Sequence, residues 1–498
     1  MSAARTLDTL RMCLSRHDLL RPEAVLVAAV SGGSDSMALL NGLSLLRQET
    51  GFTLRACHVQ HGLRGEDSLE DERLVRDFCR MNRIPLTVHT AQLGGDLHLP
   101  GMETRARDCR RTFFAETMAD CHGDALLLAH HQDDQTETLL MHLLRGSGGN
   151  GLAGMQEAAP FADGLLLRPF LNLSKAALLS ALQDWRVPYR EDASNQEALT
   201  PRNALRLEVL PKLEQLFPGC TARMAQTARL LRRDEAALEG QAYALRNAAT
   251  LTTGYGLYAL LLPALQDTPE AIAIRTLRQW VAHGMQRAGI TRTEQSLSAE
   301  ESEDLLAFAL GKDPSSRALN LPGDLQACRG SRWLHLIRQD GTPLIASAPP
   351  EALTLKRVKV QLERGKRYLA LPGWEAIDLS LRCALLTPTA PPDTAKTACV
   401  PLHMLADCVL RSPLPGDTIH PLGAPGEKPL RRYLTDRKID PPFRPHLPVL
   451  ARGDAILWIP GLCTAQALAF QPDTPCLCLT LTQTLPYLNT RKGDERHG

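Results

Sequence analysis

The sequence contains no apolar run approaching the roughly 18 residues that cross a membrane, and its 498 residues carry a net charge of only +1. We therefore expect no membrane partner, and any nucleic-acid binding must come from local basic patches. The 13 cysteines include no CxxC pair, so neither a disulfide framework nor a zinc site is indicated. The N-terminal segment lacks the continuous apolar stretch of a secretory signal, which predicts a cytoplasmic protein.

Apolar, strand-like segments alternate with helix-like ones in the first part of the chain. The predicted strands cover residues 23–30, 54–60, 84–90, 124–130 and 165–170. This alternation predicts an α/β fold with a Rossmann-like parallel sheet that helices cover on both faces. Beyond about residue 200 the pattern becomes helical and basic, and beyond about 345 it has frequent proline and short strands. We predict three domains: a parallel-sheet domain over 1–215, a mainly helical middle domain over 216–345, and a small α+β domain over 346–490.

The most informative segment is SGGSDS, at residues 31–36, between a predicted strand and a predicted helix. Gly32 and Gly33 allow a tight turn and close approach of the backbone to a ligand. The helix start contributes unpaired N–H groups and the positive end of a dipole, so the segment predicts a phosphate site. Three hydroxyl groups can donate to phosphate oxygens, those of Ser31, Ser34 and Ser36.

Asp35 gives this loop its second chemical feature. A carboxylate repels phosphate, so its presence makes sense if Mg²⁺ bridges Asp35 to the phosphates. The loop lacks the GK[ST] ending of a Walker A motif, and no lysine precedes Lys175 in the chain. The sequence therefore predicts a nucleotide site of a different kind.

A second polar segment, HHQDDQTET at residues 130–138, follows another predicted strand. Ligands bind at the carboxyl ends of strands in open parallel sheets, so both polar segments are expected at one site. Asp134 and Glu137 are three residues apart at a helix start and share a face. Two alternatives stay open: the acids favour the helix N-terminus, and His130 and His131 cap or pack instead of lining a nucleotide pocket.

The SGGSDS segment resembles the loop of the PP-loop ATP pyrophosphatases, which cleave ATP between its α- and β-phosphates. Within that superfamily, the chain resembles the tRNA(Ile)-lysidine synthetases in the order and spacing of further segments. The segments that carry the resemblance are 58–64, 103–110, 130–138, 145–149, 167–170, Lys175, 191–195, 202–206, 415–423, 430–432 and 458–461.

The resemblance implies an ATP-dependent modification of tRNA. ATP adenylates the C2 oxygen of the wobble cytidine in the isoleucine tRNA with anticodon CAU, and the side-chain amine of L-lysine then displaces AMP to give lysidine. The implied cofactors are ATP and Mg²⁺, and the partners are this tRNA and L-lysine. The oligomeric state is left open, with a homodimer as one alternative.

Candidate site residues follow from the motifs and the resemblance together. We assign ATP binding to Ser31, Gly32, Gly33, Ser34, Asp35, Ser36, His58 and His61. We assign catalysis to Asp35, Arg107, Arg110 and Asp133, with Mg²⁺ on Asp35. We assign binding of the lysine substrate to Asp134 and Glu137, because carboxylates can bind an ammonium group and accept its proton. We assign tRNA binding to the basic residues Arg202, Arg206, Arg431 and Arg432.

Several other interpretations fit parts of the sequence. A PP-loop thiolase of the 2-thiocytidine type needs reactive cysteines or an iron–sulfur cluster, and the sequence lacks CxxC pairs. An amide-forming PP-loop synthetase needs an ammonia source, often an N-terminal glutaminase domain, and the loop begins at residue 31. A non-catalytic RNA-binding protein would not need both motifs intact. Arg107, Arg110 and the C-terminal basic segment could also be solvated faces.

Overall fold

A computed structural model describes residues 2–60, 66–90, 102–190, 200–252, 257–290, 297–311, 318–344, 352–363, 368–370 and 380–482. The chain divides into two compact units, Met1–Ala237 and Leu238–Gly498. Each unit is described below by itself. The division into three domains stays a prediction.

The predicted strands of the first unit form one sheet. Its strands are β1 (Val25–Ala29), β2 (Thr53–Gln60), β3 (Leu86–Thr90), β4 (Ala125–Leu127), β5 (Ala158–Phe161) and β6 (Gly164–Leu167). Within the described residues their order is β3-β2-β1-β4-β6-β5, and all neighbours are parallel except β5, which pairs antiparallel with β6. The Rossmann-like parallel sheet is thus confirmed, whereas the hairpin partner β5 was not predicted.

Helices cover both faces of this sheet, as the alternating pattern predicts. The helices with side chains in the buried clusters of the sheet are α1 (Ser2–Arg16), α2 (Ser34–Thr50), α3 (Glu66–Met81), α4 (Met102–Asp120) and α7 (Lys175–Trp185). The first unit also contains α5 (Gln132–Leu144), α6 (Gly149–Leu152), α8 (Pro201–Ala204), α9 (Leu210–Leu216) and the start of α10 (Cys220–Ala249). Leu26 and Ala28 of β1 belong to one buried cluster with side chains of α1, α2 and α7. Val27, between them, belongs to a second cluster with Phe113 and Met118 of α4. Successive strand side chains point to opposite faces, so this alternation gives the sheet its two covered sides.

The second unit combines helices with antiparallel sheets. Its helices are α11 (Pro263–Gln266), α12 (Glu270–Arg287), α13 (Ala299–Ala309), α14 (Leu355–Glu363) and α15 (Leu430–Asp436). The predicted helices are present, but a sheet that was not predicted accompanies them. It runs β7-β8-β11-β10-β9, with β7 (Thr250–Thr252), β8 (Tyr258–Leu261), β9 (Ala318–Leu321), β10 (Leu325–Arg329) and β11 (Trp333–Arg338).

Two further sheets occupy the C-terminal part of this unit. Their strands are β12 (Leu353–Thr354), β13 (Tyr368–Ala370), β14 (Ser380–Leu386), β15 (Thr397–Pro401), β16 (Cys408–Arg411), β17 (Thr418–Ile419), β18 (Lys428–Pro429), β19 (Val449–Arg452), β20 (Ala455–Ile459), β21 (Cys463–Thr464) and β22 (Cys476–Leu481). With α14 and α15 they form the α+β region expected from the sequence. Across the described ranges, no helix has the length and apolarity that a membrane span requires.

A buried contact between a histidine and an aspartate connects the β10–β11 hairpin to the segment after α15. His335 Nε2 lies 3.3 Å from Asp440 Oδ2, and both side chains are buried. The Ser331 N–H donates to Asp440 Oδ1 at 2.7 Å. Although burial opposes ionisation, His335 and the Ser331 amide hold the pKa of Asp440 below its usual value. The middle sheet and the C-terminal sheets therefore share one set of buried polar contacts.

Candidate active site

Polar segments follow three neighbouring strands at the carboxyl edge of the parallel sheet. Residues 30–36 follow β1, residues 128–134 follow β4, and Arg168 follows β6. From β1 the chain proceeds to β2 and β3 on one side, whereas β4 lies on the other side of β1. Such a reversal opens a crevice at the strand ends, which is where α/β sheets bind ligands. The two predicted motifs thus meet at one edge.

The phosphate loop has the geometry that its glycines allow. Gly32 has φ +94°, a backbone conformation that residues with a side chain rarely adopt. A Cβ at this position would also lie only 3.3 Å from Asp71 Cβ and from the Asp71 carbonyl oxygen. Gly33 is the N-cap of α2 and offers no side-chain cap, so the first N–H groups of α2 remain available to an anion. The loop therefore presents backbone donors to phosphate.

Two residues assigned to ATP binding support the loop from within. The Ser36 hydroxyl donates to the Gly33 carbonyl at 2.9 Å and accepts the Ser31 N–H at 3.1 Å. His58, buried on β2, places Nδ1 2.8 Å from the Val30 carbonyl, so Nδ1 carries the proton and donates. These contacts indicate a scaffolding role for both side chains. His61 lies outside the described residues.

Lys175 contacts the phosphate loop, although only the resemblance pointed to this residue and no role was predicted for it. Its Nζ donates to Asp35 Oδ2 and to Ser34 Oγ, both at 2.7 Å, from a position 140 residues along the chain. The residue begins α7, whose N-cap Ser174 accepts the Ala177 N–H. The helix start thus carries an ammonium group into the loop. The phosphate loop therefore has a lysine beside it, which comes from α7 and not from the loop itself.

Asp35 is the meeting point of the two motifs. Its Oδ2 contacts Lys175 and lies 3.6 Å from Nε2 of the buried His131. Although burial opposes ionisation, His131 and Lys175 hold the pKa of Asp35 below its ordinary value. Its Oδ1 is buried and has no hydrogen-bond partner among the described residues. A buried carboxylate oxygen without a partner beside a phosphate loop fits Mg²⁺, which binds through one or two carboxylates plus substrate phosphates.

His131 links the loop to the acidic segment. His131 is the N-cap of α5. Its ring accepts a hydrogen bond from the Asp133 N–H, and its backbone N–H donates to the Asp134 carboxylate. Its Nε2 also lies 3.5 Å from Asp134 Oδ2. Although burial disfavours its charged form, Asp35, Asp134 and Asp133 raise the pKa of His131. The capping alternative is therefore correct for this histidine, and the ring at the same time contacts two candidate site residues.

The residues assigned to lysine binding pair with those assigned to tRNA binding. Glu137 is fully buried: its Oε1 accepts Arg206 Nε at 2.5 Å, and its Oε2 accepts Arg202 Nε at 2.8 Å. Arg206 also donates to Asp134 Oδ1 at 3.1 Å. The 205–209 segment is a π-helical turn, a geometry often found at functional sites, and it carries Arg206. The four side chains form one charge-balanced cluster, which we call the acid–arginine cluster.

Asp133 differs from its two acidic neighbours. It forms no ion pair with another residue in the described part of the chain. Burial raises the pKa of Asp133, reinforced by Asp134 and Glu137 against the opposing effects of His131 and the Lys175 N–H. It also lines a cavity of about 360 Å³ together with Ser174 and Glu214. A carboxylate with a raised pKa is a better proton acceptor, which supports its assignment as a general base.

The remaining assigned arginines are exposed. Arg107 and Arg110 lie on α4, one turn apart, and both side chains face solvent. In the second unit, Arg431 and Arg432 lie on the exposed face of α15, whereas Tyr433 and Leu434 on its other face point into the core. Solvent-facing arginines of this kind are available to phosphate groups.

Comparisons with known proteins cover most of the chain. The PP-loop domain family matches residues 8–213, and the TilS substrate C-terminal domain family matches residues 408–481. The tRNA(Ile)-lysidine synthase of Symbiobacterium thermophilum is 32% identical over 487 residues, which are 94% of this chain and 95% of the relative. That of Geobacter sulfurreducens is 30% identical over 462 residues, 91% and 92% of the two chains. That of Bacillus subtilis is 39% identical over 230 residues, 45% and 48% of the two chains.

Proposed function

The chain belongs to the tRNA(Ile)-lysidine synthase family, and from this premise we propose that it ligates L-lysine to C2 of the wobble cytidine in the CAU-anticodon isoleucine tRNA. ATP adenylates the C2 oxygen and releases pyrophosphate, and the lysine side-chain amine then displaces AMP. The observation that carries this proposal is the chain of contacts from Lys175 through Asp35 and His131 to Asp134. It makes the phosphate loop and the acidic segment a single site.

The loop supplies the ATP half of the reaction. Amides at the start of α2 and the Ser34 hydroxyl bind phosphate oxygens, and the Lys175 ammonium neutralises charge that develops on the leaving pyrophosphate. Mg²⁺ held by Asp35 Oδ1 would stabilise the same charge. Because Lys175 and Asp35 form an ion pair, binding of ATP would turn the Lys175 ammonium towards the phosphates, and Asp35 would then hold Mg²⁺.

The acidic segment supplies the amine half. A lysine amine has a pKa near 10.4, so deprotonating it at pH 7 costs roughly 4.6 kcal/mol unless the site helps. Asp133, with its raised pKa, accepts this proton. Binding of the ammonium by Asp134 and Glu137 requires that it displace a guanidinium, because Arg202 and Arg206 occupy both carboxylates. The lysine ammonium would therefore compete with Arg202 and Arg206 for these two carboxylates.

Binding of the tRNA is assigned to arginines in each unit. Arg431 and Arg432 provide exposed charge on α15 for backbone phosphates. Arg202 and Arg206 are about two-thirds covered and ion-paired, so their contact with RNA would compete with Asp134 and Glu137. The 2-thiocytidine alternative has less support, because the described residues contain no cluster of three His, Cys, Asp or Glu side chains suited to a metal.

Incorporation of radiolabelled L-lysine into tRNA tests the function directly. We expect label in a CAU-anticodon isoleucine tRNA transcript only when ATP is present, with one AMP formed per lysine. A transcript with a different base at the wobble position serves as the control. ATP cleavage without lysine incorporation would overturn lysidine synthesis while keeping ATP pyrophosphatase activity.

Lys175 should be essential for efficient use of ATP. We expect Lys175→Gln to lower kcat/KM for ATP about 100-fold, as loss of one charge-stabilising donor typically does. AMP release at saturating tRNA and lysine is the measurement. Lys212→Gln, at an exposed position of α9, is the matched control and should match the wild type. An unchanged kcat/KM in Lys175→Gln would remove Lys175 from the nucleotide site.

A further inference from the structure

Arg168 has its side chain fixed beside the site, but the reaction as proposed gives it no task. It follows β6, the strand next to β4, at the ligand-binding edge. Its N–H donates to the Glu157 carbonyl at 2.8 Å, and its Nη1 donates to the Gln156 carbonyl at 2.9 Å. Its Nε is buried and has no hydrogen-bond partner among the described residues. The guanidinium is thus anchored through Nη1 on a fixed backbone, and its unused Nε donor is oriented for a further acceptor.

His130, at the end of the neighbouring strand, shows the same deficit. Its Nδ1 is buried and is likewise without a hydrogen-bond partner in the described part of the chain. Burial lowers the pKa of His130 to about 4; Asp134 opposes this shift, and Arg168, Arg202 and His131 add to it. The ring is therefore neutral at pH 7 and can donate one hydrogen bond. Each of these two adjacent strands is thus followed by a side chain with a buried polar atom that has no hydrogen-bond partner among the described residues.

Positive charge accumulates at the same place. Arg107 of α4 is close enough to Arg168 to act on it electrostatically, and together with burial it lowers the pKa of Arg168 to about 10. Both guanidiniums stay charged at pH 7. Arg168 forms no ion pair with any carboxylate whose side chain the structure describes. Arg107 and Arg168 repel each other, and an anion bound between them would offset this repulsion.

We propose that Arg168, Arg107 and His130 form a phosphate-binding subsite for the tRNA backbone next to the target nucleotide. The inference rests on the proposed function, because it assigns the subsite to the RNA substrate. ATP phosphates already have the loop after β1 and Lys175, whereas this subsite lies at β4 and β6, where His130 begins the acidic segment. Planar guanidiniums suit phosphate oxygens through paired N–H donors. The subsite positions the RNA so that its wobble base reaches the loop.

Binding of an unmodified CAU-anticodon isoleucine tRNA transcript, without ATP or lysine, tests this subsite. We expect Arg168→Gln to weaken the Kd about tenfold and to reduce the slope of log K against log salt by about one. The KM for ATP should change less than twofold. Arg168→Lys should recover most of the salt slope, because it restores charge. Arg186→Gln, at an exposed position in the same unit, is the control.

Two results would overturn the subsite. One is an unchanged tRNA Kd and salt slope in Arg168→Gln with normal thermal unfolding. The other is a raised KM for ATP with unchanged tRNA binding, which would give Arg168 to the nucleotide. Because the binding measurement needs no chemistry, a failure of lysine incorporation would not be confused with a failure of this subsite.

Discussion

Replacing Asp35 with asparagine is expected to abolish lysidine synthesis, lowering the rate of lysine incorporation by at least about 1,000-fold. The substitution keeps the size of the side chain but removes its charge. Oδ1 then loses its capacity to hold Mg²⁺, and Oδ2 loses its ion pair with Lys175. Lys175 and His131 are left without their shared carboxylate, so we expect nucleotide binding and ATP cleavage to fail together.

The measurement is formation of AMP and pyrophosphate at saturating tRNA, ATP, Mg²⁺ and lysine. Asp163→Asn, in the exposed turn between β5 and β6, is the matched control and should keep full activity. Binding of the tRNA transcript to Asp35→Asn should be unchanged, which shows that the protein is folded. Activity above about a tenth of the wild-type rate would contradict the role given to Asp35.

The second large effect is expected at Glu137, through the acid–arginine cluster. Glu137→Gln leaves two guanidiniums around a buried neutral amide. Loss of one partner of a fully buried ion pair costs about 3–5 kcal/mol, and because Arg202 and Arg206 are about one-third exposed we expect about 2–3 kcal/mol here. The KM for lysine should rise at least about tenfold, since the uncompensated arginines repel the incoming ammonium.

Glu137→Gln combined with Arg206→Gln separates two roles of this carboxylate. Removing both partners should recover much of the lost stability. If Glu137 itself receives the lysine ammonium, the KM for lysine stays high in the double variant. If Glu137 only neutralises the arginines, the KM recovers with the stability. Glu116→Gln, at an exposed position of α4, is the control, and an unchanged thermal unfolding temperature in Glu137→Gln would contradict the buried ion pair.

Local patterns were enough to predict the parallel sheet and the loop. Apolar strands followed by polar motifs place those motifs at one edge regardless of how the rest of the chain folds, and the SGGSDS and HHQDD segments meet there. The short strands β7 to β11 were missed, because runs of three to six residues beside long helices give little periodic signal. The antiparallel β5, only four residues long, was missed for the same reason.

The composition of the site was harder to predict, because it depends on contacts distant in sequence. Lys175 reaches Asp35 across 140 residues, and no spacing rule covers that separation. Arg202 and Arg206 looked like RNA ligands because they begin a stretch rich in arginine, yet their partner Glu137 lies 65 or more residues earlier. The assigned roles of all these residues stay predictions until the variants above are measured.

The buried pair of His335 and Asp440 limits how this protein can exchange parts with its relatives. The TilS substrate C-terminal domain match begins at residue 408, so a recombination event or a chimaera made at that boundary would separate the two residues. Asp440 would then arrive as a buried carboxylate without its imidazole, and the hairpin amide of Ser331 would lose its acceptor. Inheritance of the C-terminal sheets is therefore tied to inheritance of the β10–β11 hairpin, and the two should be transplanted together.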